Sequence, residues 1–264
     1  MALGIETCVG RHIGDRKEQQ DRVSIIAHPE YPGTIMAVLA DGMGGHSGGA
    51  MAAEQVMLKA AQNFEMFAPG SETPREFLRN IILDAHITIR LTRFTSEKDP
   101  HSTAVLLLVQ PDRIDWAHCG DSRLYWFRGS NLQARTEDHS LVGQLQRKGK
   151  LTEKEALEHP QRNVLLSCLG SEREPEIIFS HSCPPEIGDS FLLCSDGLWA
   201  YFSDKELGQI LSTLTAREAA RKLIQLARDR ADGSGDNITV AIVKLVEGKR
   251  IEHKPPPKHI PRVI

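Results

Sequence analysis

Residues 35–49 read IMAVLADGMGGHSGG, and no other stretch constrains the architecture as strongly. Residues 35–40 are all apolar, which is typical of a strand covered on both faces. Asp41 ends that strand, and five glycines follow before a helix that the pattern predicts over about residues 49–64. Such a loop lets backbone amides and carbonyls approach an ion or phosphate closely. The glycine spacing fits neither a P-loop nor a dinucleotide-binding loop.

Further strands are predicted outward from this stretch. Eight apolar or alternating runs have strand character, counting the one above. They cover residues 23–27, 34–40, 103–109, 114–118, 123–127, 177–181, 191–194 and 238–245. Gly120-Asp121 stands between two of these runs and is a turn signal, so we predict a hairpin there.

Four capping boxes mark helix starts, at Thr73, Thr152, Ser203 and Thr215. The helices after Thr73 and Thr215 have a single apolar side, which must cover another layer. Strands in clusters, interleaved with a few long helices, predict an α+β fold of packed antiparallel sheets with helices outside.

Composition sets the class of the chain. Its 264 residues are 40% apolar and 25% charged, as in an ordinary globular protein that folds as one large or two small domains. The net charge of −3 gives no field that would favour nucleic acid or an anionic membrane. We therefore expect neither as a partner.

The five cysteines show no C-x-x-C spacing, which argues against a disulfide framework and a zinc knuckle. A reducing compartment is the better interpretation. No export signal is visible, and no apolar run approaches the roughly 20 residues that span a bilayer. We therefore predict a cytoplasmic protein.

Aspartates stand out by their positions. Asp41 and Asp196 each follow an apolar strand, and Asp236 stands just before one. In antiparallel sheets the ends of some strands meet the beginnings of others at one rim, so these carboxylates can converge. Asp21 and Asp121 occupy the same kind of position. Taken singly, an aspartate at a strand end is ordinarily a turn or capping residue.

Carboxylates gathered at one rim would repel one another and raise one another's pKa unless cations neutralised them. Oxygen ligands favour hard ions such as Mg²⁺ or Mn²⁺. Zinc would call for His or Cys at ligand spacing, and none of the eleven histidines falls in an H-x-x-x-H pattern. The sequence therefore predicts a site for Mn²⁺ or Mg²⁺.

Eight short motifs lie in one order along about residues 5–245. They are RKEQQD (16–21), VLADGMGGH (38–46), STA (102–104), CGDSR (119–123), DHS (138–140), HPQRN (159–163), CSDGL (194–198) and DNIT (236–239). Together they resemble the metal-dependent protein serine/threonine phosphatases of type 2C, in their compact bacterial form. The resemblance implies a four-layer αββα sandwich, with two central antiparallel sheets flanked by pairs of helices.

The resemblance also implies a centre of two Mn²⁺ or Mg²⁺ ions. Asp41 matches the ligand that bridges the two ions, with the Gly42 carbonyl beside it. Asp196 and Asp236 match the remaining ligands of the first ion. Asp121 matches a ligand of a third, more loosely held ion.

Arg16 matches the arginine that grips the substrate phosphate, a role that suits a planar guanidinium. Gln20 and Asp21 match the positions beside the second ion, where the neutral Gln20 amide can hold a metal-bound water but weakens the negative charge. The catalytic domain is expected over residues 1–246, with a flap over about 138–170 beside the site.

Two further departures from the family pattern concern catalysis. Met43 stands where animal members place a histidine as candidate general acid, so this role is unassigned. His46, three residues on, is available for it or has a structural role in the loop. Ala200 occupies a place where many relatives carry another Asp, which leaves a third ion to Asp121 and Asp196.

The function implied is hydrolysis of phosphoserine and phosphothreonine by direct attack of a metal-bridging hydroxide. A monomer that opposes a bacterial Ser/Thr kinase is expected. One alternative is a catalytically weak regulatory or sensor module with the same fold, and another is a metal-dependent phosphodiesterase or nuclease. The basic, Pro-rich stretch over residues 247–264 is a solvated tail or a docking peptide.

Overall fold

The structure is a computed structural model that describes residues 3–44, 48–92, 99–182 and 184–248. His46, Cys183 and residues 249–264 of the predicted tail lie outside the described residues. No helix in the described ranges is long and apolar enough to cross a membrane.

Two five-stranded antiparallel sheets form the centre of the fold. The first has the order β1-β12-β11-β8-β9, and the second has the order β10-β7-β6-β3-β2. A short ribbon pairs β4 with β5. The strands are β1 (Leu3–His12), β2 (Arg22–Ala27), β3 (Ile35–Ala40), β4 (Gly42–Met43), β5 (His101–Ser102), β6 (Ala104–Val109), β7 (Ile114–Cys119), β8 (Arg123–Arg128), β9 (Asn131–Arg135), β10 (Ile178–Ser182), β11 (Asp189–Cys194) and β12 (Ile238–Glu247).

Helices cover the outer face of each sheet. The helix pair α1 and α2 packs on the sheet that contains β3, and α6 and α7 pack on the sheet that contains β12. The short helix α5 lies beside α7, and α3 and α4 belong to the predicted flap. Their bounds are α1 (Gly48–Met66), α2 (Pro74–Thr92), α3 (Leu141–Arg147), α4 (Glu153–Glu158), α5 (Asp196–Trp199), α6 (Asp204–Thr213) and α7 (Ala216–Ala231).

Strand β3 shows why the layers form. Met36, Val38 and Ala40 face the helices α1 and α2, whereas the alternate side chains of the strand pack against the other sheet. A strand with apolar side chains on both faces must be covered on both, so the helix–sheet–sheet–helix order follows. The predicted four-layer αββα sandwich is confirmed.

The capping boxes predict the helix starts well, because they are local. Reciprocal hydrogen bonds between the capping residue and the glutamate three residues later form at Thr73, Thr152 and Thr215. Ser203 caps α6 with its hydroxyl, but Glu206 turns away to pair with Arg230.

The predicted hairpin at Gly120-Asp121 is wrong. β7 pairs with β6 and β10, and β8 pairs with β11 and β9, so the turn carries the chain from one sheet to the other. Gly120 has a φ of +108°, so the turn signal itself was real. A turn signal reports local backbone geometry and not the pairing of the strands that it joins.

Four strands were not predicted: β4 and β5, which have two residues each, and β1 and β9, which lie at sheet edges. Polar residues interrupt both edge strands, so neither forms an apolar run, and their side chains are exposed or only partly buried. β1 instead pairs with β12 over its full length, from Leu3 opposite Glu247 to His12 opposite Ile238. β12 therefore extends one residue into the predicted tail.

Candidate active site and metal centre

Strand register brings the predicted aspartates to one end of the sandwich. Arg22 lies opposite Ala40, so Asp21 and Asp41 are the next residues on neighbouring strands. Cys194 lies opposite Val240, which sets Asp196 near the start of β12 and hence near Asp236. The convergence at one rim, which was predicted from strand ends alone, is the arrangement in the structure.

A cavity of about 630 Å³ opens at this rim, and seven of the eight predicted site residues line it. These are Arg16, Gln20, Asp41, Gly42, Asp121, Asp196 and Asp236. Met43 also lines it.

The eighth predicted residue, Asp21, lies behind the cavity wall and is not among its lining residues. It is buried, and its carboxylate accepts a hydrogen bond from Ser195 Oγ at 2.8 Å. Ser195 Oγ accepts in turn from the amide of Thr239 at 3.1 Å. Asp21 thus links β2 to the residue before Asp196. A direct ligand role for its side chain receives no support from this placement.

The main chain of Asp41 is held by Ser102, at the end of β5, and by Thr103, which lies between β5 and β6. Its amide donates to Thr103 Oγ1 at 2.9 Å, and its carbonyl accepts from the Thr103 amide at 2.9 Å and from Ser102 Oγ at 3.1 Å. Both backbone groups of Asp41 are therefore hydrogen-bonded to these neighbours, and Asp41 lines the cavity. Sequence reasoning assigned no role to Thr103, although it lies in the quoted STA motif.

Gly42 and Gly49 touch backbone to backbone. A Cβ added to Gly42 would lie 2.0 Å from the carbonyl oxygen of Gly49, and one added to Gly49 would lie 2.5 Å from the carbonyl carbon of Gly42. Only glycine allows this approach. The glycines on either side of the undescribed residues 45–47 therefore hold the Gly42 carbonyl beside Asp41.

The loop that carries Arg16 is tied to the start of β12. The side-chain carbonyl of Asn237 accepts from the Gln20 amide at 2.7 Å, and its side-chain amide donates to the carbonyls of Ile13 and Glu18. The Arg16 guanidinium pairs with the carboxylate of Asp236. Asn237 had no assigned role, and its adjacency to Asp236 in the DNIT motif was the one signal available.

Burial and mutual repulsion disfavour ionisation of these carboxylates. Burial, with the nearby charges of Asp21 and Asp196, raises the pKa of Asp41 well above its ordinary value. Burial and the charge of Asp196 do the same to the pKa of Asp121. For Asp196, burial and the Asp236 charge raise the pKa to about 6, and burial raises the pKa of Asp21 to about 7.

The donor set fits hard divalent cations. Six carboxylate side chains line the cavity, including those of Asp15 and Glu18, against two basic ones, Arg16 and Lys17. Cations would offset this excess of negative charge, and oxygen ligands suit Mn²⁺ or Mg²⁺. In the ranges that the structure describes, no three Asp, Glu, His or Cys side chains are placed so that they could hold a metal ion together. The individual ligand assignments therefore stay predictions.

Backbone hydrogen bonds hold both ends of the predicted flap near this cavity. The His139 amide donates to the Gly120 carbonyl at 2.9 Å, and the Leu166 amide donates to the His139 carbonyl at 2.7 Å. Farther along, Leu169 pairs with Ser102. Asn163 from the flap lines the cavity.

The model of the protein phosphatase 2C family matches residues 10–229. The chain belongs to that family. The match confirms the resemblance that the motifs indicated. This family consists of metal-dependent protein serine/threonine phosphatases.

Two relatives show the extent of the likeness. PhpP of Streptococcus pneumoniae is 32% identical over 250 residues, which cover 94% of this chain and 98% of PhpP. PstP of Mycobacterium tuberculosis is 32% identical over 240 residues, which cover 87% of this chain but 44% of PstP. The chain thus spans less than half of PstP.

Solved structures of the family superimpose on this phosphatase 2C fold. The S. agalactiae serine/threonine phosphatase has a TM-score of 0.83 at 31% identity, over 92% of this chain and 100% of that one. The catalytic domain of PstP in complex with two manganese ions has a TM-score of 0.78 at 28% identity, over 93% and 100% of the two chains.

Proposed function

We propose that this protein is a Mn²⁺- or Mg²⁺-dependent protein serine/threonine phosphatase. One observation carries the proposal: Asp41, Asp121, Asp196 and Asp236 line a single cavity with Arg16. PstP is named a serine/threonine protein phosphatase and PhpP a protein phosphatase, and both names support the same activity.

Asp41, Asp196, Asp236 and the Gly42 carbonyl would hold the ions, and Gln20 and Asp121 would contribute at the edges of the cavity. Two such ions supply charge neutralisation for the phosphate and lower the pKa of a water molecule. The complex of the PstP catalytic domain with two manganese ions supports the presence of two ions.

Arg16 would bind the phosphate. Its side chain is 59% exposed, and one of its two terminal nitrogens makes the bond to Asp236, so donors remain for phosphate oxygens. A guanidinium forms paired hydrogen bonds with such oxygens and stabilises the charge on phosphorus during transfer.

Direct hydrolysis by water, with no phosphorylated side chain, suits the residues near the site. Cys194 is the thiol next to the Ser195-Asp196 segment, and it is fully buried. Burial raises its pKa far above the ordinary value, so no thiolate nucleophile is available there.

We further propose that the substrates are phosphoproteins made by a Ser/Thr kinase and that the protein acts as a cytoplasmic monomer. The four described cysteines, all free thiols, support a reducing compartment. The sensor-module alternative has only Gln20 and Ala200 in its favour.

The test is hydrolysis of p-nitrophenyl phosphate and of a phosphothreonine peptide, with Mn²⁺ or with EDTA. We expect cleavage of both that depends on Mn²⁺. Cleavage that survives EDTA, or none with any divalent ion, would contradict the proposal and favour the alternatives.

A further inference from the structure

A second cavity of about 840 Å³ adjoins the carboxylate cavity and lies between the flap and α5. Arg16, Asp121, Asn163, Asp196 and Asp236 line both. The two cavities are therefore parts of one cleft, and a molecule whose phosphate lies at Arg16 reaches directly into the second part.

This second cavity, which we call the aromatic cleft, has an apolar wall, although polar and charged residues make up most of the rest of its lining. Trp199, Tyr201 and Phe202 contribute from α5 and the turn after it. The flap contributes Val142, Ala156 and Leu157. The carboxylate cavity is instead bordered by the charged residues Asp15, Lys17 and Glu18. The aromatic cleft thus gives the phosphate site an apolar wall towards the flap and α5.

Trp199 is held in this wall by contacts with Arg123 and with the candidate metal ligand Asp121. Its indole Nε1 donates to the Asp121 carbonyl at 2.9 Å. The Arg123 guanidinium lies 3.6 Å above the indole ring and makes two hydrogen bonds of 2.8 Å to the Asp138 carboxylate. Arg123 and Asp138 are both buried.

Arg230 fixes the rest of the aromatic wall. Its guanidinium lies 4.6 Å from the ring centre of Phe202 and donates to the Tyr201 carbonyl at 2.7 Å. Because the side chains of Trp199 and Phe202 are held before any ligand arrives, little conformational entropy is lost when a ligand packs on them.

We propose that the aromatic cleft binds the polypeptide beside the phosphorylated residue and takes up one apolar side chain of the substrate. The proposal rests on the phosphatase function proposed above. A volume of 840 Å³ corresponds to a width of about 9 Å, and an extended chain advances about 3.3 Å per residue. The apolar residue would therefore lie within about three residues of the phosphoresidue.

The charges at the cleft favour an apolar residue over a charged one. Outside the site residues, Lys154, Arg162 and Glu153 are charged lining residues, and Asp138 is paired with Arg123. Glu153 also lies 3.4 Å from Arg135, so Lys154 and Arg162 leave a small excess of positive charge, which solvent and salt screen because both side chains are exposed. No strong field of either sign would select an acidic or basic side chain, whereas the apolar wall gains free energy from each buried carbon.

The experiment uses phosphothreonine peptides in a Gly/Ser background, with Phe or Glu placed in turn at each of the three positions on either side. We expect kcat/KM about tenfold higher for Phe than for Glu at one or two positions on one side, because burying most of a Phe side chain is worth about that factor. Equal kcat/KM at every position would overturn the proposal.

Variants locate the preference. Leu157→Asn, on the exposed face of α4, should abolish the Phe preference while p-nitrophenyl phosphate turnover stays at the wild-type level. Leu166→Asn is the matched control, because it is an exposed flap leucine outside both cavities. A Phe preference that survives Leu157→Asn and Tyr201→Ser would show that another surface causes it and would overturn the proposal.

A binding readout separates this proposal from the proposed function. Fluorescence anisotropy of peptides that carry a non-hydrolysable phosphonate measures Kd without turnover. Tighter binding of the Phe peptide would support the aromatic cleft even if the phosphatase assay failed. Equal Kd values for the Phe and Glu peptides would overturn it even in an active phosphatase.

Discussion

Thr103 Oγ1 accepts a hydrogen bond from the backbone amide of Asp41, and the two atoms are 2.9 Å apart. The same hydroxyl lies 2.8 Å from Ser122 Oγ, one residue after Asp121. A single buried side chain therefore links the backbone of Asp41 to the side chain of Ser122, the neighbour of Asp121, although 62 residues separate Thr103 from Asp41 in sequence.

We expect Thr103→Val to destabilise the protein and weaken Mn²⁺ binding. Valine keeps the shape but leaves the Asp41 amide and the Ser122 hydroxyl without this partner, which costs about 1–3 kcal/mol of unfolding free energy. Urea unfolding and calorimetric titration with Mn²⁺ measure the two effects. Thr103→Ser, which retains the hydroxyl, should behave nearly as wild type, and equal losses in both variants would contradict this role.

We expect Asp41→Asn to lower Mn²⁺-dependent turnover by several orders of magnitude without unfolding the protein. In EDTA the variant should be at least as stable as wild type, because it removes a buried carboxylate that its neighbours repel. Mn²⁺ should stabilise wild type by about 2.7 kcal/mol at a hundredfold excess over Kd, and the variant by much less.

Thermal unfolding with and without Mn²⁺ measures this difference, and Asp229→Asn on the exposed face of α7 is the control. Near-normal activity of Asp41→Asn, or an undiminished shift with Mn²⁺, would refute the assignment of Asp41 as a ligand.

The stability gained from Asp196→Asn in EDTA should depend on pH. The pKa of Asp196 is about 6 in the folded protein, against 3.8 as its ordinary value. Between these values the folded wild type holds the proton and the unfolded chain releases it, so wild type loses stability as pH rises. The asparagine side chain of the variant does not titrate, so the variant has no such loss from this position.

The difference in unfolding free energy, variant minus wild type, should therefore increase from about pH 4 to about pH 6 and level off above it. Its slope should not exceed about 1.4 kcal/mol per pH unit. Taking the difference cancels the buried histidines, whose lowered pKa values act in the opposite direction. Urea unfolding in EDTA at several pH values measures it, and a difference that fell with rising pH would contradict the sign.

We expect Arg16→Ala to raise KM for phosphopeptides, by about tenfold or more, since each charge-assisted hydrogen bond contributes about 1.5–3 kcal/mol. Arg16→Lys should recover part of the lost affinity for phosphate. The lysine ammonium keeps the positive charge but cannot donate the two parallel hydrogen bonds of a guanidinium. Steady-state kinetics with Arg11→Ala as the exposed control tests this. An unchanged KM in Arg16→Ala would remove Arg16 from phosphate binding.

Some features of this chain follow from sequence because their causes are local. The apolar run over residues 35–40 can only be a doubly covered strand or a buried helix, and its length favours the strand. The boxes at Thr73, Thr152 and Thr215 act within three residues. The motifs also identified the family, because their order along the chain does not depend on knowing the fold.

Other features depend on partners that are distant in sequence. Asp21 and Asp41 are both aspartates at strand ends, yet Asp41 lines the cavity and Asp21 bonds to Ser195 behind it. The Gly120-Asp121 turn looks like a hairpin, yet it connects two sheets. Thr103 and Asn237 look like ordinary polar residues until their partners near Asp41 and Gln20 are known.

Most of the helices and strands, the layer order, the family and the group of aspartates at strand ends could be read from the chain alone, because periodicity, capping and motif order are written in neighbouring residues. The folded molecule was needed to show which carboxylates face the cavity, what holds Asp41 and Arg16 in place, and that an aromatic cleft lies beside them. These features depend on strand register and on contacts across the sandwich, where residues far apart in the chain exclude water from one another and set each other's pKa.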